Sequence, residues 1–151
     1  MFLGRTAPAL AALLLVSCAP KKTEPPQISI SGAWSRATVA GQSSAAAYLR
    51  IANGGGGDDK LVKVSTPIGQ ATLHSTTMDN GVMRMRPVEQ LSVPAHSQVE
   101  LKPGGMHIMI LGVKRPLAAG SSFQLNLNFE HSGERTVTVA VRRATSTAGE
   151  M

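Results

Sequence analysis

Phe123-Gln124-Leu125-Asn126-Leu127-Asn128-Phe129 alternates apolar and polar residues without a break. A period of two puts the four apolar side chains on one face of an extended chain and the amides on the other, the pattern of a half-buried β-strand. Val137, Val139 and Val141 repeat it against Thr136, Thr138 and Arg142. Working outward, further strands are expected over 28–34, 45–52, 60–64, 72–76, 82–88, 98–101 and 107–111. Turn signals separate them: Asn53-Gly54-Gly55-Gly56-Gly57-Asp58, Asp79-Asn80-Gly81, Pro103-Gly104-Gly105 and Ser132-Gly133. No stretch carries apolar residues at helical spacing over the length of a helix. Eight or nine short strands at this spacing point to an all-β domain, an antiparallel β-sandwich or Greek-key barrel, with no internal repeat.

The chain has 151 residues, 42% of them hydrophobic and 3% aromatic, enough for one modest domain. Fifteen Lys and Arg against nine Asp and Glu give a charge of +6. The aromatic residues Phe2, Trp34, Tyr48, Phe123 and Phe129 are too scattered to build a base-stacking platform, and no basic run exceeds two residues. Nucleic-acid binding is therefore not expected. A diffuse positive surface fits solubility, an acidic partner or an anionic membrane.

Residues 1–17 combine Arg5 with an apolar stretch over 7–16, far below the ~20 residues that a membrane-spanning helix needs. This is the pattern of a secretory signal. Leu15-Val16-Ser17-Cys18 resembles the bacterial lipobox, in which the cysteine thiol accepts a diacylglycerol. Removing 17 of the 151 residues leaves 134, and loss of Arg5 lowers the charge from +6 to +5. Cys18 is the only cysteine. With it lipidated, no thiol remains for a disulfide framework, a cysteine nucleophile, a thiolate zinc site or a blue-copper site. Residues 18–27, with Pro20, Pro25, Pro26 and charges between them, read as a tether to the membrane. Residues 28–141 form the domain, and 142–151 a frayed tail.

Methionine is the unusual residue. Five of the seven (Met78, Met83, Met85, Met106 and Met109) crowd one region, in or beside which lie His74, His96 and His107. On a strand, residues two apart point the same way, with Cα atoms ~6.6–6.8 Å apart. His107 and Met109 then share one face, while Met106, Ile108 and Ile110 take the other. The apolar set is expected inward and the ligand pair outward, near the end of the sandwich marked by Pro103-Gly104-Gly105. His74 and Met85 flank Asp79-Asn80-Gly81, so a hairpin would bring both to the same rim. Two imidazoles and two thioethers select Cu(I), because thioether is too soft to compete for Zn²⁺ and carries no charge for Mg²⁺ or Ca²⁺. Four neutral ligands suit a carrier that releases its metal. Met83 and Met78 are expected to pack around or cover the site, Met106 to be core, His96 and His131 to be solvated loop residues, and Trp34 and Tyr48 core or rim aromatics. No enzyme is expected: the carboxylates sit mostly at turns without pairing, no Ser/His/Asp order suggests a nucleophile, and a filled copper site lacks an open coordination position.

His74, ten residues, Met85, twenty-one residues, and His107-x-Met109 reproduce the H-x10-M-x21-H-x-M motif. In this, and over the stretches 46–53, 78–88 and 101–105, the chain resembles the periplasmic CuA copper chaperones, the PCu(A)C family. The resemblance implies a cupredoxin-like β-sandwich that binds Cu(I) through His74, Met85, His107 and Met109. It further implies delivery towards the CuA subunit of cytochrome c oxidase, alongside a Sco-type protein; with the lipobox at Cys18, the carrier is expected to be a monomer lipid-anchored on the extracytoplasmic face of a membrane. After Arg143 the tail has only Met151 and no histidine, so a second site of the kind some relatives carry there is not expected. A copper-sequestering protein using the same site, and a β-sandwich interaction module, are the alternatives.

Overall fold

The computed structural model describes residues 24–144; the expected signal segment 1–17, the lipidated Cys18, the first part of the tether and the end of the tail lie outside them. Ten strands make up the fold: β1 (Ile28–Arg36), β2 (Ser44–Asn53), β3 (Asp59–Ser65), β4 (Gln70–Asp79), β5 (Val82–Pro87), β6 (Leu91–Val93), β7 (Ser97–Leu101), β8 (Met106–Leu111), β9 (Ser122–Phe129) and β10 (Gly133–Arg142). Nine match expected strands. The short β6 was not anticipated, since three residues cannot display a period.

The strands form a β-sandwich whose ladder runs β5-β4-β8-β2-β1-β10-β9-β3-β6, with β7 pairing to β2 beside β8. The alternation over 123–129 does what its period requires: Phe123, Leu125, Leu127 and Phe129 are buried in the core. They join Leu49, Ile51, Leu61, Leu101, Ile108, Ile110 and Val139 in one apolar cluster. One pair departs from the antiparallel expectation. The first and last strands, β1 and β10, lie side by side and run parallel, from Trp34↔Ala140 to Arg36↔Arg142. They need no direct connection, so the turn rules that make sequential neighbours antiparallel do not apply to them.

Strands β7 and β8 are nearly collinear along β2, pairing with 49–53 and 44–47 respectively. The Lys102–Gly105 turn between them is closed by the Gly105 amide donating to the Lys102 carbonyl. This interruption sets the entry into β8, on which two of the expected ligands stand.

Two buried polar side chains organise the opposite end of β2. Asn53 accepts hydrogen bonds from the amides of Gln27 and Gly55, each at 3.0 Å, and donates to the carbonyls of Gly57 and Val93 at 2.8 and 3.1 Å. The glycine run expected as a turn is also a cradle. A Cβ on Gly55 would overlap the Pro25 carbonyl oxygen and the Gln27 nitrogen, and one on Gly57 would meet the Glu24 carbonyl. Residues 24–27 therefore lie against the domain.

Asp59 holds the β9–β10 turn to β3, accepting from the Lys60, His131 and Ser132 amides and the Ser132 hydroxyl. Burial pushes its carboxyl up, but these donors together outweigh that and hold it below the ordinary value. The stabilisation is therefore present above the unfolded-state pKa of about 4 and lost as pH falls through the lower folded value. The difference in melting temperature between wild type and Asp59→Asn should be constant above about pH 5 and shrink below pH 4. A difference that grew on acidification would contradict this.

Candidate metal centre

Asn80 and Gly81 both have positive φ, 49° and 79°, which the two central positions of a type I′ hairpin turn require. That turn sets the register of β4 on β5: Asp79↔Val82, Met78↔Met83, Thr76↔Met85 and His74↔Pro87. On its other edge β4 pairs with β8, giving His74↔His107 and Thr72↔Met109. Side chains directly opposite on paired strands project from the same face, and diagonal neighbours stay within reach of long side chains. His74 is therefore the centre of a cross. It faces His107 directly, has Met109 on one diagonal and Met85 on the other.

The structure brings all four expected ligands to one sheet face. The His74 and His107 rings lie 6.0 Å apart between centroids and 19° from parallel, a separation that two metal–imidazole bonds of about 2 Å each can span. Each imidazole is held from behind. His107 Nδ1 donates to the Gly105 carbonyl at 3.2 Å, and His74 Nδ1 lies 3.3 Å from the Thr72 hydroxyl. Fixing Nδ1–H on His107 leaves the lone pair on Nε2, the form an imidazole needs to bind metal. The Gly105 carbonyl also accepts the Thr76 amide at 3.1 Å, so the group that orients His107 is itself tied to β4.

His107 Nε2 is buried and has no hydrogen-bond partner among the described residues. A buried polar atom without a partner costs about 1–3 kcal/mol, and a soft metal ion is a partner suited to it. Among the described residues no three His, Cys, Asp or Glu side chains come together, so nothing around this atom suits a hard cation. The donor set available is two imidazoles and two thioethers.

Burial corrects one expectation. The ligand pair of β8 does not point into solvent: His107 is only 4% exposed and Met109 is half-buried. Strand β8 lies between β4 and β2 rather than at an edge, so side chains of both neighbouring strands flank His107 and Met109. Met109 lines a cavity of about 180 Å³ with Arg36, Thr38, Ala46 and Tyr48. Burial pushes the Tyr48 phenol above its ordinary value, only partly offset by the Arg36 charge, so it stays neutral there. Tyr48 packs against Trp34, 4.7 Å between ring centroids, and Arg142 lies over Trp34. The site is open on the β5 side, where Met85 is 55% exposed.

Met106 faces the core, as expected. His96 and His131 are exposed loop residues away from the cross. Met78 and Met83, expected to pack around or cover the site, stand exposed on the hairpin, on the same face as Met85. Thr72 and Gly105 were not singled out from sequence. Thr72 lies two residues before His74 on β4, which is the same face, and that spacing was the signal available; Gly105 acts through its backbone carbonyl in the turn before β8, which side-chain spacing does not reveal.

The solved structures similar to this chain include the copper-bound PCuAC domain from PmoF2, at 25% identity and a TM-score of 0.65 over 77% of this chain and 92% of that one. The apo form of DR1885 from Deinococcus radiodurans matches at 27% and 0.61, over 97% of this chain and all of that one; its Cu(I) form matches at 28% and 0.57, over 75% and 76%. Among curated proteins, "Putative lipoprotein Lxx21020" of Leifsonia xyli subsp. xyli is 34% identical over 76% of this chain and 69% of its own length. Uncharacterized protein RP573 of Rickettsia prowazekii is 33% identical over 72% of this chain, which spans 62% of that protein. The family model described as "Putative lipoprotein LpqE-like" matches residues 28–141, the whole run from β1 almost to the end of β10. With a cupredoxin-like sandwich of PCuAC type and this match along its length, the chain belongs to the LpqE-like family.

Proposed function

We propose that this protein is an extracytoplasmic Cu(I) carrier, lipid-anchored through Cys18, that passes copper towards the CuA site of cytochrome c oxidase. The observation that carries the reading is the buried, unpartnered Nε2 of His107, set opposite His74, which has Met109 on one diagonal and Met85 on the other. Copper in the similar PmoF2 domain and DR1885 structures supports the choice of ion. The signal pattern over 1–17 and the lipoprotein relative support the location.

His74, Met85, His107 and Met109 hold the ion, which is cargo. All four are neutral, so its single positive charge stays uncompensated, and a partner offering thiolates binds it more tightly. The gradient of burial gives the exchange a direction. An incoming ligand approaches from the side of exposed Met85, while buried His107 is out of its direct reach. The +5 charge remaining after signal removal speeds encounter with an acidic partner domain and is screened by salt.

A deletion strain grown across a copper series tests the reading. Oxidase activity should fall when copper is scarce and recover when it is supplied. Normal oxidase at the lowest copper, with sensitivity only in excess, would instead identify a sequestering protein.

A further inference from the structure

The β4–β5 hairpin carries more soft donors than one four-ligand site uses. Met78, Met83 and Met85 are 68%, 59% and 55% exposed, the three most exposed methionines among the described residues. They stand on one face. Met78 is directly opposite Met83, with Cβ atoms about 4.5–5.5 Å apart in such a pair. Met85 follows Met83 by two residues, so it projects the same way about 6.8 Å along the strand and lies diagonal to Met78. The opposite face of the hairpin takes the charges: Arg84 and Arg86, with Arg84 paired to Asp79 at 3.5 Å. Three unbranched thioethers, each turning about three bonds, can converge where rigid side chains could not.

We propose that Met78, Met83 and Met85 form a second, outer Cu(I) site, a three-thioether landing through which the ion enters and leaves the buried one. This rests on the reading of the inner site as a Cu(I) site. Met85 belongs to both sets, since it is also diagonal to His74 across the β4–β5 pair. The donors then form a continuous series on one face: Met78 and Met83 at the hairpin tip, Met85, His74 with Met109, and His107 at the bottom. Exposure falls along that series from 68% to 4%. The transfer is ligand exchange only. Cu–S bonds to Met78 and Met83 break as Cu–N and Cu–S bonds to His74, His107 and Met109 form, Met85 stays bound throughout, and copper remains Cu(I). Thioether alone is neutral and selects Cu(I) or Ag(I) over harder ions, but three weak donors without imidazole hold the ion less tightly than the inner four.

The test uses the full chain with Cys18→Ser, so that no thiol competes, and with labelled methionine methyl groups, titrated anaerobically with Cu(I). The first equivalent should shift the Met85 and Met109 methyls, and further Cu(I) those of Met78 and Met83. In M78L/M83L, which keeps apolar volume on an exposed strand, inner-site affinity should stay within about twofold and the weaker response should vanish. Transfer of the bound ion to a chelator should slow about fivefold or more, because the change lies in the exit path rather than in the equilibrium. Silent Met78 and Met83 methyls beside a responding Met109, or an unchanged transfer rate in the variant, overturns the outer site and leaves the inner one standing. No Cu(I) uptake and no shift at Met109 overturns both.

Discussion

His107→Ala is expected to lower the affinity for Cu(I) by more than about a hundredfold, since loss of an outer-shell partner alone costs 10–100-fold at metal sites. The size of the effect follows from position. His107 is the most buried donor, its ring is oriented by the Gly105 carbonyl, and that carbonyl is tied to β4 through Thr76. No neighbouring imidazole can take its place, because His74 is already in the cross and His96 and His131 are exposed elsewhere. Competition with a chromophoric chelator measures the loss, and thermal unfolding without metal checks that the truncated core still folds. His96→Ala and His131→Ala should leave affinity unchanged. If His96→Ala weakened binding as much as His107→Ala, the four-residue cross would not be the copper site.

The largest effect on stability is expected at Asn53. Alanine there leaves the amides of Gln27 and Gly55 and the carbonyls of Gly57 and Val93 without their partner. At about 1–3 kcal/mol for each buried group, partly relieved where water reaches the loop, the loss should be about 3–5 kcal/mol. Unfolding in denaturant should show it as a lower midpoint, and the melting temperature should drop by roughly 10 °C or more. Copper affinity should hardly change. Asn53 sits seven residues along β2 from Ala46, the partner of Met109, a distance of roughly 23 Å. A midpoint within error of wild type would mean that this network contributes nothing.

How much of this was legible in sequence depends on the range over which each feature is decided. The period over 123–129 and the Asn80-Gly81 turn are local, and both strand and hairpin follow from them. His107-x-Met109 is local too, and two ligands on one face required only the pleat. The burial of His107 was not legible, because it depends on β8 lying between β4 and β2, a pairing between residues far apart in the chain. The parallel contact of β1 with β10 is non-local for the same reason. Asn53 looked like one more turn residue before a glycine run. Its amide turned out to bind segments on three sides, which spacing along one strand cannot reveal.

The glycine cradle has a consequence for how far the domain ranges. Residues 24–27 are seated against 54–57, so under the proposed anchoring at Cys18 the leash would end at Glu24 rather than at the first residue of β1. Six residue steps reach about 20 Å when fully extended, and ten would reach about 35 Å. Because effective concentration falls roughly as the 3/2 power of tether length, shortening the leash from ten steps to six confines the domain to a space about twofold smaller. Its local concentration towards any partner in the same membrane rises by about the same factor. A side chain at Gly55 would collide with residues 25–27 and unseat them without touching a copper ligand.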